Sequence, residues 1–515
     1  MVHLESVAIP SVLFASFTTA SPNTQSALPY EANGIHSFSQ ITPSSDLQWI
    51  PCYNGFDCAN LIVPLDYQDS SVGSTTIAFI RKLAPGNVGQ DLLFNPGGPG
   101  GSGVRSLLSG IGDLILNISG GQYNMISFDP RGVNNSGIKL TCFPGQPNIR
   151  DAYRSSFEEL PQASNLDETY ARGLAMSQWC TKANANTTAK YAGTLAAVQD
   201  MLHFTTLQAR LRNLENPEEP LVNFYGLSYG TIIEQALASQ YPSRVGRIVL
   251  DGTVNAKDHF HGAKPSAIQD VERSVHQILH SLPRRQSRHL RFLRQRRKKK
   301  RFDTLLSNLE IEPLILSAPT SPTPAPQLIT KDAVLAAAFH ILYAGVTGFP
   351  FRARGLAATL ARGSGKAQEI YVLIAGAYYT GRSQTRERMV FREVYGEVVR
   401  TIVYAGRAYV LENVVVGVVI EVVPPESQVF SGFKYTRTKT RILFVNPSVD
   451  PITPVANARY MAGGFEGAVV LEQNSTGHTV LPFLGECVSG AVKRYFGIGE
   501  MSDGGKVCQV NVRVD

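Results

Sequence analysis

The segment 221–238 constrains this chain most. Leu221-Val-Asn-Phe-Tyr225 is rich in β-forming residues and Gly226-Leu227-Ser228-Tyr229-Gly230 follows at once; Ile232, Ile233, Ala236, Leu237 and Ala238 then recur at helical spacing. A strand that runs into a tight turn and out into a helix needs glycine on both sides of the turn, because a Cβ there would collide across it. The serine between the glycines is pushed outward with its hydroxyl exposed, and the helix start lends partial positive charge to an anion formed nearby. Other strand-like segments, 76–80, 92–94, 125–128 and 248–250, alternate with helical patterns, and 441–445 resumes the alternation late in the chain. That order predicts an α/β fold, a mainly parallel sheet flanked by helices.

A serine hydroxyl is a weak nucleophile until a base takes its proton, so the turn has chemical meaning only with a histidine and an acid to serve it. Asp450 and His478 follow in the order Ser, Asp, His. Asp450 comes after the strand-like 441–445 in a loop bracketed by Asn446-Pro447 and Asp450-Pro451, and His478 lies in Gly477-His478-Thr479 after the strand-like 468–471. The expected roles are Ser228 as nucleophile, His478 as general base and Asp450 as the acid that orients it. Directly after 92–94 stands Asn95-Pro-Gly-Gly-Pro-Gly-Gly-Ser-Gly103, a backbone with few side chains. Its Gly97 and Gly98 N–H groups, beside that of Tyr229, are the expected oxyanion donors. A phosphate cradle is excluded, since the Lys-Ser/Thr ending is absent and no G-x-G-x-x-G with a ribose-binding acid follows. No metal or cofactor is expected.

Taken together, these pieces resemble the proline iminopeptidase and tripeptidyl aminopeptidase branch of the α/β-hydrolases, particularly its secreted fungal and actinobacterial members. The resemblance rests on Cys58-Ala59 followed by Val63-Pro-Leu-Asp-Tyr67, the Asn95-to-Gly103 loop, Phe128-Asp-Pro-Arg-Gly132, Gly226 to Thr231, Leu250-Asp-Gly252, Asp450-Pro-Ile-Thr-Pro454 and Gly477-His478. It implies an α/β-hydrolase fold with an inserted, mostly helical lid, and a serine peptidase that acts on peptides with a free amino terminus through an acyl-enzyme. An esterase or small-amide hydrolase on the same three residues is the alternative, and a degenerate relative with impaired catalysis is a third reading. The departure from the family lies in the lid: no cysteine occurs between Cys180 and Cys487, and 371–423 matches poorly.

The expected organisation is a signal segment 1–20, a first core part 21–256, a lid insertion 257–429 and a last core part 430–515. The insertion opens with a basic run, 284–301, whose 11 Lys and Arg more than account for the net charge of +7. The basicity is therefore local, and the run reads as a solvated insertion or a misread frame rather than a nucleic-acid site. A Pro- and Ser/Thr-rich stretch, 317–326, and a helical pattern over 333–343 follow. Residues 7–17 are apolar and small residues precede Ser21-Pro22, so a secreted protein is expected. Six cysteines falling as neighbouring pairs suggest Cys52–Cys58, Cys142–Cys180 and Cys487–Cys508 bridges, though six allow fifteen connectivities. Sequons at Asn117, Asn134, Asn186 and Asn474 suit a glycoprotein. No run reaches the ~18–20 apolar residues of a membrane span, and 414–423 reads as a buried strand.

Overall fold

The computed structural model describes residues 34–85, 89–138, 141–150, 166–261 and 422–510, with short pieces between 266 and 331. The expected signal segment 1–20, the basic run 284–301, the Pro-rich 317–326 and the helical stretch 333–343 lie outside the described residues. So does most of 414–423; its last residue, Val423, is exposed and outside any strand.

The strands, in chain order, are β1 (Ile50–Cys52), β2 (Phe56–Pro64), β3 (Ser74–Lys82), β4 (Gln90–Asn95), β5 (Tyr123–Phe128), β6 (Val222–Leu227), β7 (Val245–Asp251), β8 (Leu314–Leu316), β9 (Gln327–Ile329), β10 (Leu443–Val449), β11 (Val469–Thr476) and β12 (Val507–Gln509). The helices are α1 (Gly103–Leu108), α2 (Ile111–Ile118), α3 (Leu166–Asn184), α4 (Thr194–Leu211), α5 (Gly230–Gln240), α6 (Ala256–Phe260), α7 (Val455–Ala462) and α8 (Glu486–Ile498). Ten strands form one sheet in the order β1-β2-β3-β5-β4-β6-β7-β10-β11-β12, while β8 and β9 pair only with each other. The sheet is antiparallel from β1 through β3 to β5 and parallel from there on. This is the α/β-hydrolase fold, and every expected strand of the first half is present.

β2 and the second half of β10 escape a reading by pattern. In β2, Asp57, Asn60 and Pro64 break the β-forming run, and only pairing along all of β3 makes it a strand. Asn446-Pro447, expected in a loop, lies inside β10, where the pairing with β11 shifts between Pro447 and Val449. Proline has no N–H for a ladder, so it sits where the register is already interrupted.

Helices cover both faces of the sheet, and neighbouring residues of one strand enter opposite cores. Phe79, Phe128, Phe224 and Phe444 pack with Phe204 of α4 on one side. Ile80, Tyr225, Val249 and Val445 pack with Tyr495 and Phe496 of α8 on the other. Both faces being covered explains why β5 is buried along its whole length.

Polar clamps fix the loops at the sheet's edge. Arg131, after β5, donates from Nε to Asp200 Oδ2 and from Nη2 to Asp200 Oδ1, both at 2.7 Å, with both side chains 1% exposed. Its remaining N–H groups reach the carbonyls of Pro64, Leu65 and Tyr191. Three disulfides, Cys52–Cys58, Cys142–Cys180 and Cys487–Cys508, join the cysteines in the expected pairs.

Candidate active site

Parallel pairing brings the carboxyl ends of the central strands together. Asn95 of β4 lies opposite Gly226 of β6, and Leu227 of β6 opposite Asp251 of β7, which in turn pairs with Val445 of β10. Ligands of open α/β sheets bind outside this end. Ser228 follows β6 directly, Asp450 follows β10 directly, and His478 stands two residues beyond β11.

Ser228 has φ +53°, a left-handed value that a non-glycine residue holds only when its surroundings impose it. The glycines impose it by close approach. A Cβ on Gly226 would stand 2.8 Å from the Gly230 carbonyl carbon, and one on Gly230 would stand 2.7 Å from the Asn95 oxygen. The first collision is across the turn, as the sequence suggests, but the second is with the end of the neighbouring strand β4. α5 begins at Gly230, so Ser228 sits at the amino end of an eleven-residue helix.

Asp450 is completely buried and surrounded by donors. The N–H groups of Ile452 and Thr453 donate to Oδ1 at 2.9 and 2.8 Å, and the Thr453 hydroxyl and Thr479 N–H donate to Oδ2 at 2.7 and 3.0 Å. His478 Nδ1 completes the shell, 3.0 Å from Oδ2. Burial alone would raise the Asp450 carboxyl, but the His478 charge and these hydrogen bonds hold it below its ordinary value. For His478, burial pulls the imidazole down, but the Asp450 charge, its hydrogen bond and the charge of Asp251 together outweigh it and leave the group above its ordinary value. With Nδ1 turned to Asp450, Nε2 is the ring nitrogen on the far side of the imidazole.

Thr453 was not singled out as a site residue from the sequence. Its hydroxyl lies 2.7 Å from Asp450 Oδ2 and 3.2 Å from His478 Nδ1, steadying both. The readable sign was its place three residues after an Asp between two prolines, where a side-chain carboxylate commonly caps the turn. Asp251 stands within Leu250-Asp-Gly252 at the end of β7. It is wholly buried, and its carboxylate accepts the N–H groups of Val480 and Leu481 at 2.6 and 3.0 Å and the Tyr225 hydroxyl at 3.1 Å. Burial pushes its carboxyl up to about 7 in spite of those donors.

The expected oxyanion donors lie in two places, Gly97 and Gly98 in the loop after β4 and Tyr229 just ahead of α5. Gly97 N–H donates to Asn95 Oδ1 at 2.9 Å within the loop, so it is already engaged. What Gly97 supplies is space: with φ +89°, a Cβ there would stand 2.4 Å from the Leu227 oxygen and 2.9 Å from the Tyr229 nitrogen. The glycine loop therefore lies against the Ser228 turn. The Tyr229 ring, half-buried, packs near His259 with its hydroxyl 2.8 Å from that of Thr194.

Comparison with known proteins narrows the family. Residues 420–508 match the family model described as TAP-like protein. That stretch runs from ahead of β10 into β12. The chain is 28% identical to the serine protease Hip1 of Mycobacterium tuberculosis over 222 residues, 41% of this chain and 40% of that one. It is 27% identical to a tripeptidyl aminopeptidase of Streptomyces lividans over 244 residues, 44% of this chain and 41% of that one. A shorter stretch of 89 residues, 16% of each chain, is 38% identical to carboxylesterase B of Mycobacterium tuberculosis. The matched stretches thus span about two-fifths of the length of the first two relatives. Among the described residues no helix is long and apolar enough to cross a membrane, and no cluster of His, Cys, Asp and Glu is placed to hold a metal ion.

Proposed function

We propose that this protein is a serine hydrolase that releases short pieces from free amino termini of peptides through an acyl-enzyme. The observation that carries the reading is the joint anchoring of Ser228 and the His478 loop on the end of β7. Asp251 accepts Ser228 N–H on its carbonyl at 3.0 Å and Val480 N–H on its carboxylate at 2.6 Å. In this reading His478 Nε2 takes the Ser228 proton as Oγ attacks the carbonyl, and Asp450 stabilises the imidazolium that results. The tetrahedral oxyanion is met by the N–H groups of Tyr229, at the start of α5, and Gly98, in the loop after β4. His478 then protonates the leaving amine, and water releases the acyl group by the same route.

Similarity to a tripeptidyl aminopeptidase supports a peptide with a free amino terminus as substrate. The three disulfides support secretion into an oxidising compartment. The stretch shared with carboxylesterase B favours a second reading, an esterase or small-amide hydrolase on the same residues. Matched peptides with free and acetylated amino termini separate the two. Acetylation lowers kcat/KM by ~10²-fold or more if a buried contact reads the ammonium. Equal cleavage of both peptides, with short esters turned over faster, would favour the second reading instead.

A further inference from the structure

Asp251 lies 23 residues beyond the proposed nucleophile and 229 before Val480, yet it touches both loops. We propose that Asp251 is a positioning residue for the candidate Ser228–His478–Asp450 system, tying the nucleophile's turn and the histidine's loop to one strand end. The inference rests on the serine hydrolase reading above and adds a fourth residue to it.

Three observations support it. The Asp251 carbonyl accepts Ser228 N–H at 3.0 Å, which helps fix the φ +53° turn. Both carboxylate oxygens face donors, Oδ1 the Val480 N–H and Oδ2 the Leu481 N–H and Tyr225 hydroxyl, so the backbone just past His478 is held from two sides. Gly252 then leaves no room for slippage, because a Cβ there would stand 2.7 Å from Thr479 Cγ2, and its N–H is spent on the Val445 oxygen at 3.1 Å.

The carboxylate also has an electrostatic effect. His478 faces Asp450 from the end of β10 and Asp251 from the end of β7; the Asp450 carboxylate favours its protonated form, and Asp251 adds to this when it is ionised. Tyr225 of β6 donates to Asp251, while the half-buried Asp270, with Arg273 and Glu472 around it, is itself raised by burial and by the charge of Asp450. Asp251 therefore makes His478 a stronger base besides holding its loop. A purely structural buried acid would do neither in a way that kinetics could read.

Asp251→Asn tests this, because an amide has one acceptor oxygen and must turn its NH2 toward donors. The expected result is a folded protein whose kcat falls ~10²-fold, as for a misplaced reacting group. KM should be nearly unchanged, and the acid limb of the kcat/KM profile should move to lower pH. Slower fluorophosphonate labelling of Ser228 should accompany it. Should Asp251→Asn fail to fold, Tyr225→Phe removes one donor from Asp251 without changing shape, and the limb should again move down. NMR titration of labelled His478 gives the same pKa without turnover. An unmoved His478 pKa in the folded variant, with wild-type activity present, overturns the proposal alone. A wild-type chain that neither labels nor turns over overturns the hydrolase reading, while the titration still judges the link between Asp251 and His478.

Discussion

Replacing Arg131 with methionine removes a guanidinium whose N–H groups make five contacts in the interior. Two go to Asp200 at 2.7 Å and three go to the carbonyls of Leu65, Tyr191 and Pro64 at 2.6, 3.1 and 2.7 Å. With both side chains of the pair 1% exposed, the variant leaves the Asp200 carboxylate out of water, with the Tyr67 hydroxyl 2.9 Å away as a side-chain donor. An uncompensated buried charge costs about 3–5 kcal/mol, far above the worth of a surface pair. Urea unfolding followed by the fluorescence of Trp49 and Trp179 reads this directly. The double variant Arg131→Met/Asp200→Leu should recover part of the loss, because the lone charge is gone although the Tyr191 and Pro64 carbonyls lose a donor; Leu65 keeps that of Gln428 Nε2 at 2.8 Å. A single variant that costs under about 1 kcal/mol, or a double variant no more stable than the single, would refute the clamp.

Gly97→Ala should leave the sheet intact but push the Ser228 turn aside, since its Cβ would stand 2.4 Å from the Leu227 oxygen; kcat should fall ~10²-fold with little change in the far-ultraviolet spectrum. Rate should be lost on the acid side as His478 takes a proton, and because Asp450 holds that group above about 6.5 the limb should lie above that value. Stability runs the other way. The His478 contribution is complete below its unfolded pKa and is lost as pH rises through the raised folded value, while that of Asp450 is present above its unfolded value and is lost as pH falls through the lowered one. The pair thus stabilises the fold most between about pH 4 and 6.5, and urea midpoints of His478→Gln against wild type across pH check the sign.

The elbow was legible because strand, turn and helix signals met within twenty residues, and glycine's role there is local. Asp450 and His478 were legible from chain order and from the strands before them. Bonds formed across the fold were not. Asp251 follows a strand and precedes a glycine, which reads as a turn, and nothing near it in sequence announces Val480 and Leu481. The Gly97 N–H could not be known to serve Asn95, since that depends on how the loop after β4 curls back on itself. The edge strands β1 and β12, three residues each, exist only through their neighbours, and short edge strands carry little pattern of their own.

The most direct test of the central claim is fluorophosphonate labelling of the purified protein, with the adduct mapped by mass spectrometry and turnover measured on peptide and ester substrates in parallel. The account predicts a single adduct on Ser228, its loss in Ser228→Ala with turnover lowered by several orders of magnitude, and a fall of ~10³-fold or more in His478→Ala and Asp450→Asn. Near-normal turnover in Ser228→Ala, or an adduct on a different serine, would contradict it.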